Sequence, residues 1–201
     1  SGGSGLIGTE LIAALNYDGH QIVKLVRGRP NPMARNTEIG WDPVHGAFDS
    51  IGLRRIDAAI HLGGVSIAGG RWSSKRKSLI QESRVRSTHL LAQALAGMSE
   101  RPPVLIVASA AGYYGDRGEE PLTEDSPPGE GFLAETAVRW ENAADTARDA
   151  GIRVVHARFG LILSRQGGLL GKIRVPFQTA LGGKLGSGRQ WWPWISLVDV
   201  V

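Results

Sequence analysis

Ser1-Gly2-Gly3-Ser4-Gly5-Leu6-Ile7-Gly8 opens the chain and runs without a break into the apolar spacing of Leu11, Ile12, Ala14 and Leu15. A Gly-x-x-Gly-x-x-Gly run that becomes a helix is the pattern of a phosphate-binding turn. Gly2 allows a sharp reversal. Gly5 lets the backbone approach a pyrophosphate with no Cβ in the way, and Gly8 lets the helix seat closely on a strand while its first amides face the anion. The same eight residues have the composition of a flexible linker, so the residues downstream decide between the two readings.

After the Gly19 stop comes Ile22-Val23-Lys24-Leu25-Val26, an apolar run of strand type that ends in Arg27-Gly28-Arg29. Arg27 lies 19 residues past Gly8 (27 minus 8). In a dinucleotide fold an acid near that place holds the ribose hydroxyls of NAD, whereas an Arg accepts the 2′-phosphate of NADP. No acid stands there, so NADP(H) is expected over NAD(H). The alternative is that Arg27 and Arg29 only decorate a strand end on a basic surface.

The 201 residues suit one domain, or one domain with part of a second. Cysteine is absent. That excludes disulfides, thiolate metal sites and a Cys nucleophile, and makes a reducing, cytoplasmic setting the expectation. His, Asp and Glu do not recur at metal-ligand spacing, so no metal is expected. Net charge is +4, and six basic residues fall between Arg71 and Arg86. They lie on an amphipathic helix expected over 74–96, with Leu79, Ile80, Leu90, Leu91, Ala94 and Leu95 inward and Gly97 as its stop. The charge therefore reads as a solvated face and not as a nucleic-acid surface. No membrane span or targeting segment is visible in these residues.

Strand-type runs at 56–62, 103–109 and 153–158 alternate with helical patterns at 74–96 and 133–150. This order predicts an α/β fold: a doubly wound parallel sheet with ligands at the carboxyl ends of its strands. The polar stretch Pro121 to Gly131 is expected to rim that end. Residues 1–160 would form the nucleotide-binding domain and 161–201 the start of a smaller substrate-side region.

Several phrases in one order resemble a known family: Leu62-Gly63-Gly64; Arg71-Trp72; Ser109-Ala110-Ala111-Gly112-Tyr113-Tyr114-Gly115-Asp116-Arg117-Gly118; Leu122 to Pro128; Phe132 to Glu135; Trp140-Glu141; and Leu185 to Gln190. With the glycine loop they are similar to the extended short-chain dehydrogenase/reductase superfamily. The nearer likeness is to its atypical nucleoside-diphosphate-sugar epimerase branch, which includes SulA-like proteins named for cell division. The resemblance covers the whole chain and implies an NAD(P)-binding Rossmann fold. Its first strand is expected to precede Ser1, and further substrate-side residues to follow Val201.

The resemblance implies site residues. Gly2, Gly3, Ser4, Gly5, Leu6, Ile7 and Gly8 would hold the pyrophosphate, and Arg27 the 2′-phosphate. Leu62, Gly63 and Gly64 would line the adenine and ribose side; Ser109, Ala110, Ala111 and Arg158 would line the nicotinamide side. The superfamily's Tyr-x-x-x-Lys pair, in which Lys assists a tyrosine base, is absent, and Leu133 and Ala137 stand in its place. The substrate-polarising serine position falls on Ala110. Ser109, Tyr113 and Tyr114 are then the candidate catalytic hydroxyls, with Arg117 placed to assist Tyr113. His61 and His156, inside apolar strands, read as core histidines.

At the substrate end Trp192, Pro193 and Trp194 replace the expected Arg-Asp-aromatic pattern. Arg189, Trp192 and Trp194 are the substrate-binding candidates, toward a flat or apolar ligand, with packed core or lid aromatics as the alternative. The implied function is an NADP(H)-binding epimerase or oxidoreductase of unassigned small-molecule substrate, for which a homodimer is one allowed assembly. A non-catalytic NADP(H)-responsive regulator or scaffold, linked to cell division, is the alternative.

Overall fold

The computed structural model describes residues 1–48, 53–184 and 186–201, with the side chain of Lys172 also left aside. Leu185, which opens the Leu185–Gln190 phrase, lies outside the described residues. In chain order the elements are α1 (Leu6–Tyr17), β1 (Val23–Val26), β2 (Thr37–Asp42), β3 (Ala47–Phe48), β4 (Ala59–His61), α2 (Ser74–Ala96), β5 (Val104–Ala110), a 3₁₀ turn (Ala111–Tyr114), α3 (Phe132–Asn142), α4 (Asp145–Asp149), β6 (Arg153–Phe159), β7 (Leu161–Leu163), α5 (Gly168–Gln178), β8 (Trp194–Ser196) and α6 (Leu197–Val200).

β4, β5 and β6 form one parallel sheet in that order, with Ala59 opposite Leu105 and Val107 opposite His156. β1 and β2 are also parallel, with Lys24 opposite Glu38. β3 adds antiparallel to β2, a hairpin the β-α alternation did not anticipate. Alternation in β2 buries only Ile39 and Trp41, too few apolar residues to stand out in a polar stretch. Ser1 continues alongside β4, its carbonyl accepting from Leu62 N at 3.1 Å.

α2 is one 23-residue helix. Ser73 caps it, its hydroxyl accepting from Arg76 N. Ile80, Leu91 and Leu95 are buried, and Leu91 and Leu95 share one core cluster with Leu105 and Val107 of β5 and Trp140 of α3. Burying such a side chain fully contributes about 1.5–3 kcal/mol. Leu79, expected inward, is 48% exposed. The buried stripe instead runs Ile80, Ser87, Leu91, Leu95, and Leu79 lies a residue, roughly 100° of helix, off it. The polar members Ser87 and Thr88 are buried because each has a partner: His61 Nε2 lies 3.0 Å from Ser87 Oγ, and Trp140 Nε1 donates to Thr88 Oγ1 at 3.0 Å.

The helix expected over 133–150 is two helices. Around Ala143–Ala144 the bonding tightens to i→i+3, with Ala144 N to Glu141 O at 3.1 Å and Ala147 N to Ala144 O at 3.0 Å. Beyond β6, β7 and β8 pair in parallel. Pro193 O accepts from Leu161 N at 2.6 Å, and Gly167 comes within contact distance of Leu6 at the start of α1.

Candidate functional site

The glycine loop is an uncapped helix N-terminus seated on the end of β4. Gly2 has φ +78°, and a Cβ there would stand 2.6 Å from the Leu62 carbonyl carbon, so only glycine fits. Gly8 is buried, and a Cβ on it would fall on Gly2 O and 2.7 Å from Gly3 Cα. Its small size therefore seats α1 on the loop itself, where a strand was expected. Gly5 is the N-cap with no side-chain cap, and the first intrahelical bond is Thr9 N to Gly5 O at 2.9 Å. The amides of Leu6, Ile7 and Gly8 are thus left without an intrahelical acceptor, at the positive end of a 12-residue helix. Ser4 is exposed on the same turn.

His61 anchors this loop from behind. Its ring is fully buried; Nδ1 lies 2.5 Å from Ser1 Oγ, Nε2 lies 3.0 Å from Ser87 Oγ, and Trp41 meets it edge-on with centroids 5.9 Å apart. Ser87 gives its own proton to Ser83 O at 2.7 Å. The network therefore calls for a neutral imidazole with Nε2 protonated, donating to Ser87 and accepting from Ser1. Burial pushes its pKa down to about 3.

Arg27 follows β1, is exposed, and makes no ion pair or hydrogen bond with a described residue. Of the two acids on β2, Glu38 is held by Lys24 at 2.7 Å and by Asn31 N at 2.9 Å, and Asp42, nearer to Arg27 in register, lies 2.7 Å from His45 Nδ1. Behind Leu62, Gly63 and Gly64 stands a cation that sequence reading had counted only as part of a basic face. Arg84 Nη1 donates to Val65 O and Ile80 O, both at 2.9 Å, and its guanidinium lies 5.0 Å from the Trp140 ring centroid. No described carboxylate neutralises it, and burial lowers its pKa. The signal was the Gly63-Gly64 pair: a Cβ at Gly64 would stand 3.2 Å from Arg84 Cζ.

At the end of β5 the hydroxyls of Ser109 and Tyr114 are engaged by Glu141 and Arg158. Ser109 is buried and donates to Glu141 Oε1 at 2.6 Å. Arg158 Nε and Nη2 bond Glu141 at 2.9 Å each, and Nη1 donates to Tyr114 Oη at 2.8 Å and Glu124 O at 3.0 Å. The Tyr113 ring centroid lies 3.5 Å from Arg158 Cζ. Burial pushes the Glu141 carboxyl up, but hydrogen bonds from Arg158 and Ser109 outweigh it and leave the pKa below the usual value. Four of the five N–H donors of Arg158 are committed inside the protein. Arg117, expected to serve Tyr113, is instead gripped by Glu120 at 2.8 Å through two nitrogens.

Ala110 and Ala111 carry no polar side chain toward the same strand end. Leu133 is on the first turn of α3 against Gly112, and Ala137 is buried, so neither position supplies a titratable group. His156 Nε2 faces Arg148 Nη2 at 3.3 Å while Nδ1 is buried without a partner. It lines a cleft of about 470 Å³ with Tyr114, Leu122, Thr123, Glu124 and Arg158. Trp191 and Trp194 are 74% and 66% exposed and Trp192 is 38% exposed, so these are surface aromatics and not core ones. Arg189 is exposed beside them. Among the described residues no three His, Asp or Glu side chains stand together as a metal site, and no helix is long and apolar enough to cross a membrane.

Residues 1–201 match the NAD dependent epimerase/dehydratase family. An epimerase family protein of Mycobacterium bovis is 43% identical over 201 residues, covering all of this chain and 65% of that protein. The solved human epimerase family protein SDR39U1, crystallised with NADPH, superposes with a TM-score of 0.86 at 35% identity, over 98% of this chain and 65% of that one. A nucleoside-diphosphate sugar epimerase from Corynebacterium glutamicum gives 0.82 at 40% identity, over 99% of this chain and 40% of that one. The chain thus spans about two thirds of the length of the curated relatives it matches. A parallel α/β sheet with an uncapped glycine loop beneath it, matched along its whole length, makes this chain a member of the NAD dependent epimerase/dehydratase family, with a Rossmann fold.

Proposed function

We propose that this chain binds NADP(H) in preference to NAD(H), as the nucleotide-binding part of an oxidoreductase or epimerase-like enzyme. The observation that carries the reading is Arg27: an exposed guanidinium at the end of β1 with no ion-pair partner among the described residues, while the acids of β2, Glu38 and Asp42, are engaged by Lys24 and His45. The human relative's NADPH supports it. The loop from Gly2 through Gly3, Ser4, Gly5, Leu6 and Ile7 to Gly8 offers its free amides to the pyrophosphate. Arg84, unneutralised behind Gly64, adds positive charge there. Leu62, Gly63 and Gly64 line the adenine and ribose side, and Ala110 and Ala111 the nicotinamide side.

When bound, the cofactor supplies hydride transfer at its nicotinamide ring. We assign Ser109, Tyr114, Glu141 and Arg158 to holding β5, α3 and β6 in register, since their polar atoms are spent on each other. Arg158 Cζ stands over the Tyr113 ring, 3.5 Å from its centroid, at the same strand end.

Titration with NADPH and NADH, followed by tryptophan fluorescence, tests this. Replacing a charged hydrogen-bonding partner removes about 1.5–3 kcal/mol, so Arg27→Ala is expected to weaken NADPH roughly 10- to 100-fold and leave NADH unchanged. Equal affinity for the two cofactors in the unaltered chain, or an indifferent Arg27→Ala, would overturn the preference.

A further inference from the structure

Five cations gather where the loop after β4 meets α2: Arg71, Lys75, Arg76, Lys77 and Arg84. None has a carboxylate partner among the described residues. Lys75, Arg76 and Lys77 occupy the first turn of α2, where no acid balances them. A cation at the positive end of a helix is unfavourable by about 0.3–1 kcal/mol, so a merely solvated basic face is poorly placed here. Two of the five are also pinned. Arg84 donates to Val65 O, Arg76 Nη2 donates to Ser66 O, and Arg76 Nε is buried with no partner. Trp72 Nε1 gives to Ile67 O at 2.9 Å. Three successive loop carbonyls are thereby turned toward donors of the protein, while Arg71, Lys75 and Lys77 remain exposed.

An aromatic wall adjoins this charge. Trp72 and Phe132 meet edge to face with centroids 5.6 Å apart, and Lys77 Nζ stands 5.2 Å from the Phe132 centroid. Phe132 opens α3, and Leu133 beside it packs on Gly112 just before Tyr113. The corner therefore joins the connections that follow the neighbouring strands β4 and β5, at their carboxyl ends.

We propose that this corner binds the substrate, and that the substrate carries an anionic group, carboxylate or phosphate, on an apolar or aromatic body. Arg71 and Lys77 meet the anion; Trp72 and Phe132 meet the body. The inference rests on the cofactor reading above only in placing the reaction at this end of the sheet.

The test titrates phenyl phosphate and benzoate into the chain saturated with NADPH, following tryptophan fluorescence, with Trp72→Phe to identify the reporter and with inorganic phosphate and benzyl alcohol as single-feature controls. Saturable binding of at least one aromatic anion is expected, roughly tenfold or more tighter than either control. Arg71→Gln combined with Lys77→Gln, both exposed positions, should weaken it at least about tenfold and leave NADPH affinity within about twofold. No saturable binding of either probe, binding unchanged in the double variant, or binding abolished by Arg27→Ala would overturn the proposal. Probe binding at this corner in a chain that takes up no NADPH would instead overturn the cofactor reading and leave this site standing.

Discussion

Glu141→Ala is expected to destabilise the chain by about 3–5 kcal/mol, because it leaves the Arg158 guanidinium inside the protein without its anion. Side-chain exposures of 9% for Glu141 and 19% for Arg158 place the pair where water replaces neither partner well. Ser109 loses its acceptor in the same step. The pair's net worth is smaller than this loss, since bringing both charges in from water had its own cost. Glu141→Leu with Arg158→Met should therefore be less damaging than Glu141→Ala alone. Denaturant midpoints of the two variants, at unchanged slope, check this; a single variant within about 1 kcal/mol of the unaltered chain contradicts the buried-charge argument. Glu141 titrates below the usual carboxylate value when folded. Its contribution is thus present above the unfolded value and is lost as pH falls through the folded one.

Acidification through His61 is the second large effect. With a folded pKa pushed down to about 3 by burial and an ordinary value of 6.5, the unfolded chain takes up a proton that the folded chain refuses. Stability therefore begins to fall below pH 6.5, by up to about 1.4 kcal/mol per pH unit, and this loss levels off near pH 3 at on the order of 5 kcal/mol. A protonated Nδ1 no longer accepts from Ser1 Oγ, so the hydrogen bond between them has to reverse its direction at the start of the glycine loop. Comparison of the pH dependence of unfolding in the parent chain and in His61→Asn isolates the effect. The variant should lose the parent's extra slope between pH 6.5 and 3; parallel curves would mean that His61 is solvated or already charged in the folded chain.

Much of this was legible in the residues alone. α2 was bounded at 74–96 by an apolar stripe and Gly97, and the three strands β4, β5 and β6 fell inside or within a residue of their apolar runs. Backbone-driven features read well for the same reason. At Gly2 and Gly8 the chain comes so close to itself that only glycine fits, and such positions advertise themselves by residue type.

Side-chain pairing across the sheet was not legible. Ser109, Tyr113 and Tyr114 stood as the candidate catalytic hydroxyls, yet Glu141 and Arg158, 32 and 49 residues after Ser109, bond Ser109 and Tyr114, and Arg158 covers the Tyr113 ring; Arg117, four residues from Tyr113, turns to Glu120. Nor did the basic run 71–86 reveal that Arg84 points under Gly64 while Lys77 stands over Phe132. Local pattern by itself determined which segments become strands, helices and a glycine turn, because propensity, caps and periodicity act over a few residues. Which charges are paired, buried or left available for a ligand was decided only by tertiary structure, because Coulomb and hydrogen-bond energies depend on distances that folding creates between residues remote in the chain.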